Sequence, residues 1–543
     1  MKKHYLGNVK SNEATIDTYF RIYDPAIRAF RNSYGYASHA MHTTPMDSLA
    51  AGYYCKDNKY YKDPKLLELM HNVLAFMESH HRPNFTIDMM ESNFFCSPLF
   101  EAVNISRAYR IMQKYASTDD EKKLLKRFTD YLPMMEKSLL NGGIHTPNHR
   151  WIGASGMLML ANIMDSTDLR NLAFAYLNEG VDMNEFGEYT ERSPHYSEVC
   201  NTSFMQIALE TGDRSYLEYA KKNMDLLFRY LEPNFTMFTQ NSNRVDTHEG
   251  NVNAVTKPYY LYYTYLHMSY LTNNPQYAKF ADDIYNAVEK IHGTGPGSLW
   301  MYLAYPELME YEPKMEQYPT SYNIFHGDIV RYRNEDFSAS ILTRSPNFLF
   351  VQTGDLRCFV RICASFFAVA QFKPLSIELI GKDTYRMKMK AHGEYYGPLP
   401  EKPATTAWKE MDHSLRPVNN KVDLEYIVTV KIKPDRVSLN VKTEGCDNVP
   451  CKIEFCITPP VDVQYDSVEL KGLPDECLSV NAKEIKIKKE NDCLTLTNSF
   501  SEHTYHKDMR GSVPPSKGVF TVYYTSFTHI DASVDIIGTK ETK

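Results

Sequence analysis

No run of roughly 18 apolar residues, the length a membrane-spanning helix needs, occurs anywhere in the chain. The ten cysteines contain no CxxC pair. Cys446, Cys451 and Cys456 come closest, but no His joins them at a ligand spacing, so reduced core thiols are expected rather than a zinc site. GxSxG, Walker, HExxH and GxGxxG patterns are all missing, which excludes the common serine hydrolases, nucleotide enzymes and zinc proteases. Neither a metal nor a cofactor is called for. A formal net charge of -7 with no long basic run argues against a nucleic-acid partner. Met1-Lys2-Lys3-His4-Tyr5 leads into no apolar segment, so no signal peptide is read and a cytoplasmic location is expected.

What is present is large and rich in tyrosine. A chain of 543 residues exceeds one compact core and implies two domains. Its 43% apolar and 23% charged residues are ordinary globular values, whereas forty Tyr are not. A phenol ring stacks on sugar C–H groups while its hydroxyl bonds sugar oxygens, although most of the forty are expected to pack between helices.

From Ile16 to about His292 the apolar spacing is helical. Leu66, Leu67, Leu69, Met70, Val73, Leu74, Phe76 and Met77 form one stripe. Tyr216, Leu217, Tyr219, Ala220, Met224, Leu227, Phe228 and Leu231 form another. Thr118-Asp119-Asp120, Asn141-Gly142-Gly143, Thr211-Gly212-Asp213 and Thr272-Asn273-Asn274-Pro275 break the series, two of them with the glycine of a helix end. Serial antiparallel helices joined alternately by short turns and longer polar segments predict an α/α toroid over residues 1–295. Residues 296–322, rich in Pro, Glu and Tyr, read as a linker. Beyond them the period becomes two, as in Phe337–Thr343, Phe348–Val351, Cys358–Ile362 and the hairpin around Pro434-Asp435. This predicts an antiparallel β-sandwich over residues 323–543.

Three polar clusters stand at the mouths of predicted helices. His145, Asn148, His149, Arg150 and Trp151 offer amide, imidazole, guanidinium and indole groups on one approach. An amide and imidazole can bond a sugar carboxylate, Arg can pair with it, and Trp can stack on the ring. A plain helix cap accounts for Asn148 alone. Tyr189, Glu191, Arg192, His195, Tyr196 and Glu198 surround Ser193-Pro194, a helix start whose dipole favours an anion. Arg244, Asp246, His248 and Glu249 precede a Tyr-rich helix, and an N-terminal charge pattern explains them as well.

A helical toroid followed by a sandwich, with Asn148-His149 on one loop and an E-x-S-P-x-Y-like segment ending at Tyr196 on a later one, resembles the heparinase II/III and alginate lyase group. The resemblance implies that Asn148 and His149 neutralise a uronate carboxylate and that Tyr196 is the catalytic tyrosine of a β-elimination. Those lyases also carry a catalytic His in a H-x-H-x-D-x-G-like strand of the sandwich. Here Cys363 to Phe372 contains no His. The β-glucuronidases of glycoside hydrolase family 154 share the architecture, and the wealth of carboxylates makes the chain more similar to them.

The expectation drawn from this is a glycoside hydrolase acting at glucuronic acid in an oligosaccharide, with Glu191 and Asp246 as its two carboxyls and Glu198 and Glu249 as substitutes. His149, Arg192 and Arg244 would hold the uronate, with Asn148, Arg150, Trp151, Tyr189, His195 and His248 around it. The alternatives are a uronate polysaccharide lyase using Asn148, His149 and Tyr196, and a non-catalytic glycan-binding protein. A flat sandwich face and Tyr-rich loops favour a homo-oligomer.

Overall fold

In a computed structural model of the protein, residues 1–31, 35, 37–38, 46–85, 97–244 and 256–540 are described. The helices come first: α1 (Lys2–Ile22), α2 (Met46–Tyr54), α3 (Pro64–His80), α4 (Ser97–Tyr115), α5 (Asp119–Asn141), α6 (Pro147–Met164) and α7 (Thr167–Leu177). They continue as α8 (Pro194–Thr211), α9 (Tyr216–Phe228), α10 (Tyr262–Thr272), α11 (Pro275–His292), α12 (Leu299–Ala304) and α13 (Glu307–Glu310). All lie in one compact unit made of Met1–Phe228, Ser242–Arg244 and Lys257–Tyr318.

Even-numbered helices form the inside of this unit. α2, α4, α6, α8 and α10 pack each on the next, α12 packs on α2 and α4, and α12 meets α10 through the Tyr302 and Tyr262 hydroxyls at 3.0 Å and the Trp300 and Tyr263 rings at 4.6 Å, which closes a ring. α1, α3, α5, α7, α9 and α11 each back an inner partner. The two sets differ as their positions require. α6 buries residues around most of its circumference, from Asn148 and Trp151 to Met159 and Ala161. α11 buries one stripe, Tyr277, Phe280, Ala281, Ile284 and Val288 among it, and leaves the other face to water. Close approach of α6 to α4 depends on Gly156, where a Cβ would stand 2.9 Å from the Ala102 Cβ and 3.1 Å from the Leu99 carbonyl oxygen.

The breakers do their work by different means. Asn273 ends α10 in the left-handed region (φ 54°), and Asn274 caps α11 by accepting from the Gln276 N–H at 2.9 Å, with Pro275 in the first turn. Gly212 closes α8 at φ 75°, whereas Gly142 follows α5 in extended backbone. The α3 stripe is buried as spaced, except that Leu67 is only partly covered. The α9 stripe stops at Phe228, and Leu231 falls in the second unit. Residues 296–322 are more than a linker, since α12 lies there and closes the ring.

The second unit takes Arg229–Asn241 and the chain from Pro319. Tyr322–Phe325, Ile329–Arg333, Phe337–Leu342, Leu349–Thr353 and Leu356–Ala364 form a meander, extended by Pro450–Ile457, Phe520–Phe527 and the parallel Cys477–Leu478. A nine-stranded sheet is built on the hairpin Val418–Lys433 and Arg436–Gly445, in register at Val430 and Leu439. Val428 and Val430 from this sheet share one apolar core with Val351 and Val360 from the other, so the two are the halves of a sandwich. On the far face of the eight-stranded sheet, Arg331 pairs with Glu232 at 2.9 Å, both fully buried.

Thr118 and Glu121 form a capping box at the start of α5. The buried Glu121 carboxylate accepts from the Ser117 and Thr118 N–H groups at 2.7 and 3.1 Å, from the Tyr53 hydroxyl at 3.0 Å and from the Lys62 ammonium. Burial alone would raise its pKa, but these donors outweigh burial and hold it at about 2. Its stabilisation is therefore complete above the ordinary value of 4.5 and is lost as pH falls toward 2. Glu121→Ala strands these donors in the interior and is expected to cost about 3–5 kcal/mol in urea unfolding at pH 7, with the difference from the parent shrinking below pH 4.

Candidate active site

The first turn of α6 sets the site. Thr146 is the N-cap in extended backbone, Pro147 opens the helix, and Asn148 and His149 follow in its first turn. The His149 ring folds back over the helix end, where Nδ1 accepts from the His145 N–H at 3.2 Å and the Thr146 N–H at 3.4 Å. An accepting Nδ1 leaves the ring proton on Nε2, so the imidazole offers one donor. Burial, with the nearby His145 and Arg244 charges, lowers its pKa to about 4. His149 is a neutral group at any physiological pH.

Asn148 is fully buried. Its Nδ2 donates to both Glu191 carboxylate oxygens, each at 2.9 Å, and to Thr146 Oγ1 at 3.0 Å. Its Oδ1 is buried with no hydrogen-bond partner.

Glu191 arrives from the tight turn that precedes α8. Gly187 holds φ 89° there, with the Lys222 carbonyl oxygen 2.6 Å from where a Cβ would be, so no other residue fits. Arg192 also holds a left-handed φ of 52°, a strained backbone for a long side chain and one that places Glu191 inward. Ser193 caps α8 by accepting from the Tyr196 N–H at 3.1 Å. Segment Ser242–Arg244 is tied to this turn through the Asn243 N–H, 3.3 Å from the Glu191 carbonyl. Arg244 then does two things at once. Its Nε lies 3.3 Å from Glu191 Oε1, and its guanidinium stacks 4.5 Å over the Tyr196 ring. Burial pushes the Glu191 carboxyl above the usual carboxylate range, with Asp182 adding to the shift and Asn148 and Arg244 opposing it.

Asn148, His149, Glu191, Tyr196 and Arg244 are thus gathered in one place, and His195 stands at its edge, exposed, with ring contacts to Tyr196 at 5.5 Å and Tyr260 at 5.3 Å. Other expected members are engaged elsewhere. Trp151 offers no stacking face, being fully buried against Phe204 at 5.2 Å. Arg150 is bound to Asp182 at 2.8 Å and Glu179 at 3.3 Å. Tyr189 is a core residue whose hydroxyl donates to Asn201. Arg192 faces Glu188 at 3.6 Å. Glu198 accepts from Thr202 at 2.8 Å and Thr264 at 3.4 Å, an arrangement that locks α8 to α10. Asp246, His248 and Glu249 lie outside the described residues.

Sequence reasoning missed two groups. Asp182 orients Arg150 and sits in the electrostatic field of Glu191. Arg107, on the inner face of α4, stacks 3.8 Å over Trp300 and lies 3.9 Å from the buried Asp47. The signal for Arg107 was a charged residue inside the apolar series of α4.

No family model matches the chain, and no curated protein matches it in sequence. Several solved structures do share its fold. Heparinase III aligns over 99% of this chain and 85% of its own with a TM-score of 0.56 and 10% identity. A mutant of the heparan sulfate lyase HepC from Pedobacter heparinus aligns over 92% and 76%, with a TM-score of 0.53 and 9% identity. The chondroitin AC lyase of Streptomyces coelicolor A3 aligns over 98% and 79%, with a TM-score of 0.52 and 8% identity. At such identities the likeness shows the fold: an α/α toroid followed by an antiparallel β-sandwich.

The lowered pKa of His149 has a consequence for stability. An unfolded chain takes up a proton at His near pH 6.5 that the native site refuses until about pH 4, so native stability falls with pH across that window. The difference corresponds to about 3 kcal/mol at pH 4. His149→Gln is expected to remove this slope, so that urea midpoints of variant and parent converge or cross between pH 6.5 and 4. Parallel curves would show that the imidazole titrates alike in the native and unfolded chains, against the lowered pKa.

Proposed function

We propose that the protein is a uronate polysaccharide lyase, cleaving the bond next to a uronic acid by β-elimination. The observation that carries this reading is the Tyr196–Arg244–Glu191–Asn148 chain of contacts, which brings a phenol, a guanidinium and an amide around one carboxylate. β-Elimination needs that chemistry. The C5 proton becomes acidic only when the adjacent carboxylate is neutralised by hydrogen bonds and positive charge, and a base must then remove it. In this reading Asn148, His149 through Nε2–H, and Arg244 face the uronate carboxylate. Tyr196 takes the C5 proton, and the proton returned to the glycosidic oxygen releases the second sugar as the C4–C5 double bond forms. Three proteins of this fold, named as a heparan sulfate lyase, Heparinase III and a chondroitin AC lyase, support the class of reaction.

A hydrolase is the second reading, favoured by the raised pKa of Glu191, which suits a general acid. It requires a second carboxyl across the glycosidic bond. Glu198 is committed to Thr202 and Thr264, and Asp246 and Glu249 are not among the described residues.

Incubation with uronate polysaccharides of known backbone separates the two. Elimination produces an unsaturated uronate that absorbs in the ultraviolet, and hydrolysis produces reducing ends without that absorbance. Absorbance should grow with the parent protein, and Tyr196→Phe should lower kcat by about 10²–10⁴ with little change in KM. Reducing ends without absorbance, lost in Glu191→Gln and kept in Tyr196→Phe, would establish the hydrolase instead.

A further inference from the structure

The amide of Asn148 points the wrong way for the task the lyase reading gives it. Its Nδ2 carries two hydrogens and faces three acceptors, two of them the oxygens of Glu191, so it has nothing left to donate. The free atom is Oδ1, buried and without a partner. A uronate carboxylate brought to this side of Asn148 would meet an oxygen. Arg244, the only cation on Glu191 among the described contacts, is likewise occupied by the internal carboxylate. Half a turn of the carboxamide would present Nδ2 to substrate, but it would also aim Oδ1 at Glu191. Two acceptors can face one another there only if a proton lies between them.

We propose that Glu191 is a proton-controlled positioning residue. Ionised, it holds the Asn148 amide and Arg244 to itself. Protonated, it donates its O–H to Asn148 Oδ1, which turns the amide nitrogen toward the substrate carboxylate and ends the charge pairing with Arg244. The exchange balances with one proton taken from solvent per uronate bound, and no covalent bond other than the new O–H is made. The inference rests on the lyase reading for the identity of the ligand.

The surroundings favour such an exchange. Glu191 is buried between the first turn of α6 and the turn before α8. The groups that face it are Arg244, which opposes protonation, Asp182, which promotes it while bound to Arg150, and the buried Cys200 thiol of α8.

Calorimetric titration of a glucuronate-containing oligosaccharide into Tyr196→Phe protein, between pH 5 and 8 in buffers of differing ionisation enthalpy, tests the proposal. Above the Glu191 pKa, close to one proton should be taken up per ligand, and Kd should rise about tenfold per pH unit. With Glu191→Gln added, the amide nitrogen of the new side chain can donate to Asn148 Oδ1 at any pH. Proton uptake should then vanish and Kd should stay flat at its low-pH value. Uptake unchanged in the double variant would overturn the proposal, as would loss of binding at every pH. A ligand-free measurement runs beside it. A carboxyl whose native pKa is raised destabilises the fold as pH rises, so the Tm gain of Glu191→Gln over the parent should grow from pH 5 to pH 8. A Tm loss equal at all pH values would overturn the switch and leave Glu191 a structural strut. If the gap grows as expected but no uronate oligosaccharide binds at any pH, the lyase reading has failed, and the proposal falls with it for that reason.

Discussion

Ring closure is the constraint from which the architecture of the first unit follows. A helix inside a closed ring has no solvent face, so its polar side chains must be satisfied by neighbours or placed at its ends. α6 and α8 show both solutions. Their middles are apolar or internally bonded, as where Asn201 donates to Asn223 and accepts from Tyr189. Their first turns carry Asn148, His149, His195 and Tyr196. The orphan N–H groups of a helix start already demand acceptors there, and side chains gathered for capping are close to being side chains gathered for chemistry. His149 illustrates the overlap. One ring nitrogen satisfies the backbone of residues 145 and 146, and the other remains a donor.

This overlap also explains how much of the site was legible in the sequence. Asn148, His149, Glu191, Tyr196 and Arg244 could be singled out because each sits in a dense polar stretch beside a helix start, and the fold brings those stretches together. The errors came from the same stretches. Arg150 and Trp151 follow Asn148 and His149 directly, yet a helix turns about 100° per residue, so adjacent side chains point apart. Trp151 turns inward to Phe204, and Arg150 turns to Asp182 and Glu179. Tyr189 and Glu198 are likewise engaged away from the cluster, one drawn into the core and the other bonded between α8 and α10. Spacing singled out the polar stretches, but only packing could say which way each side chain on them points.

The fold itself was more legible than the site. Periods of about 3.6 and of two change over in the Gly- and Pro-rich region after His292, and the strands of the sandwich fall where alternation placed them. What spacing did not convey was the affiliation of short pieces. α12 has six residues and no amphipathic stripe, because a helix that plugs a ring is buried all round. Arg229–Asn241 looks like the tail of a helix, yet Glu232 within it is held by Arg331 and Ser338 of the eight-stranded sheet. A long-range ion pair decided that placement, and no local pattern encodes it.

Charge at the site bears on the choice of chemistry as much as the number of carboxylates does. An overall charge of -7 gives no attraction for an anionic sugar, so any hold on one must be local. Among the described residues, Arg244 is the cation that touches both Tyr196 and Glu191. His149 is kept neutral by burial, which makes it a hydrogen-bond donor that costs no repulsion with Arg244. Burial favours the neutral form of Glu191 against the pull of Asn148 and Arg244. When it is ionised it holds the Asn148 amide and pairs with Arg244. When it is neutral, the Asn148 amide is able to turn. Under the proposed lyase reading, the second state would suit a carboxylate, and later the enolate that grows from it, because an amide N–H then faces the developing charge.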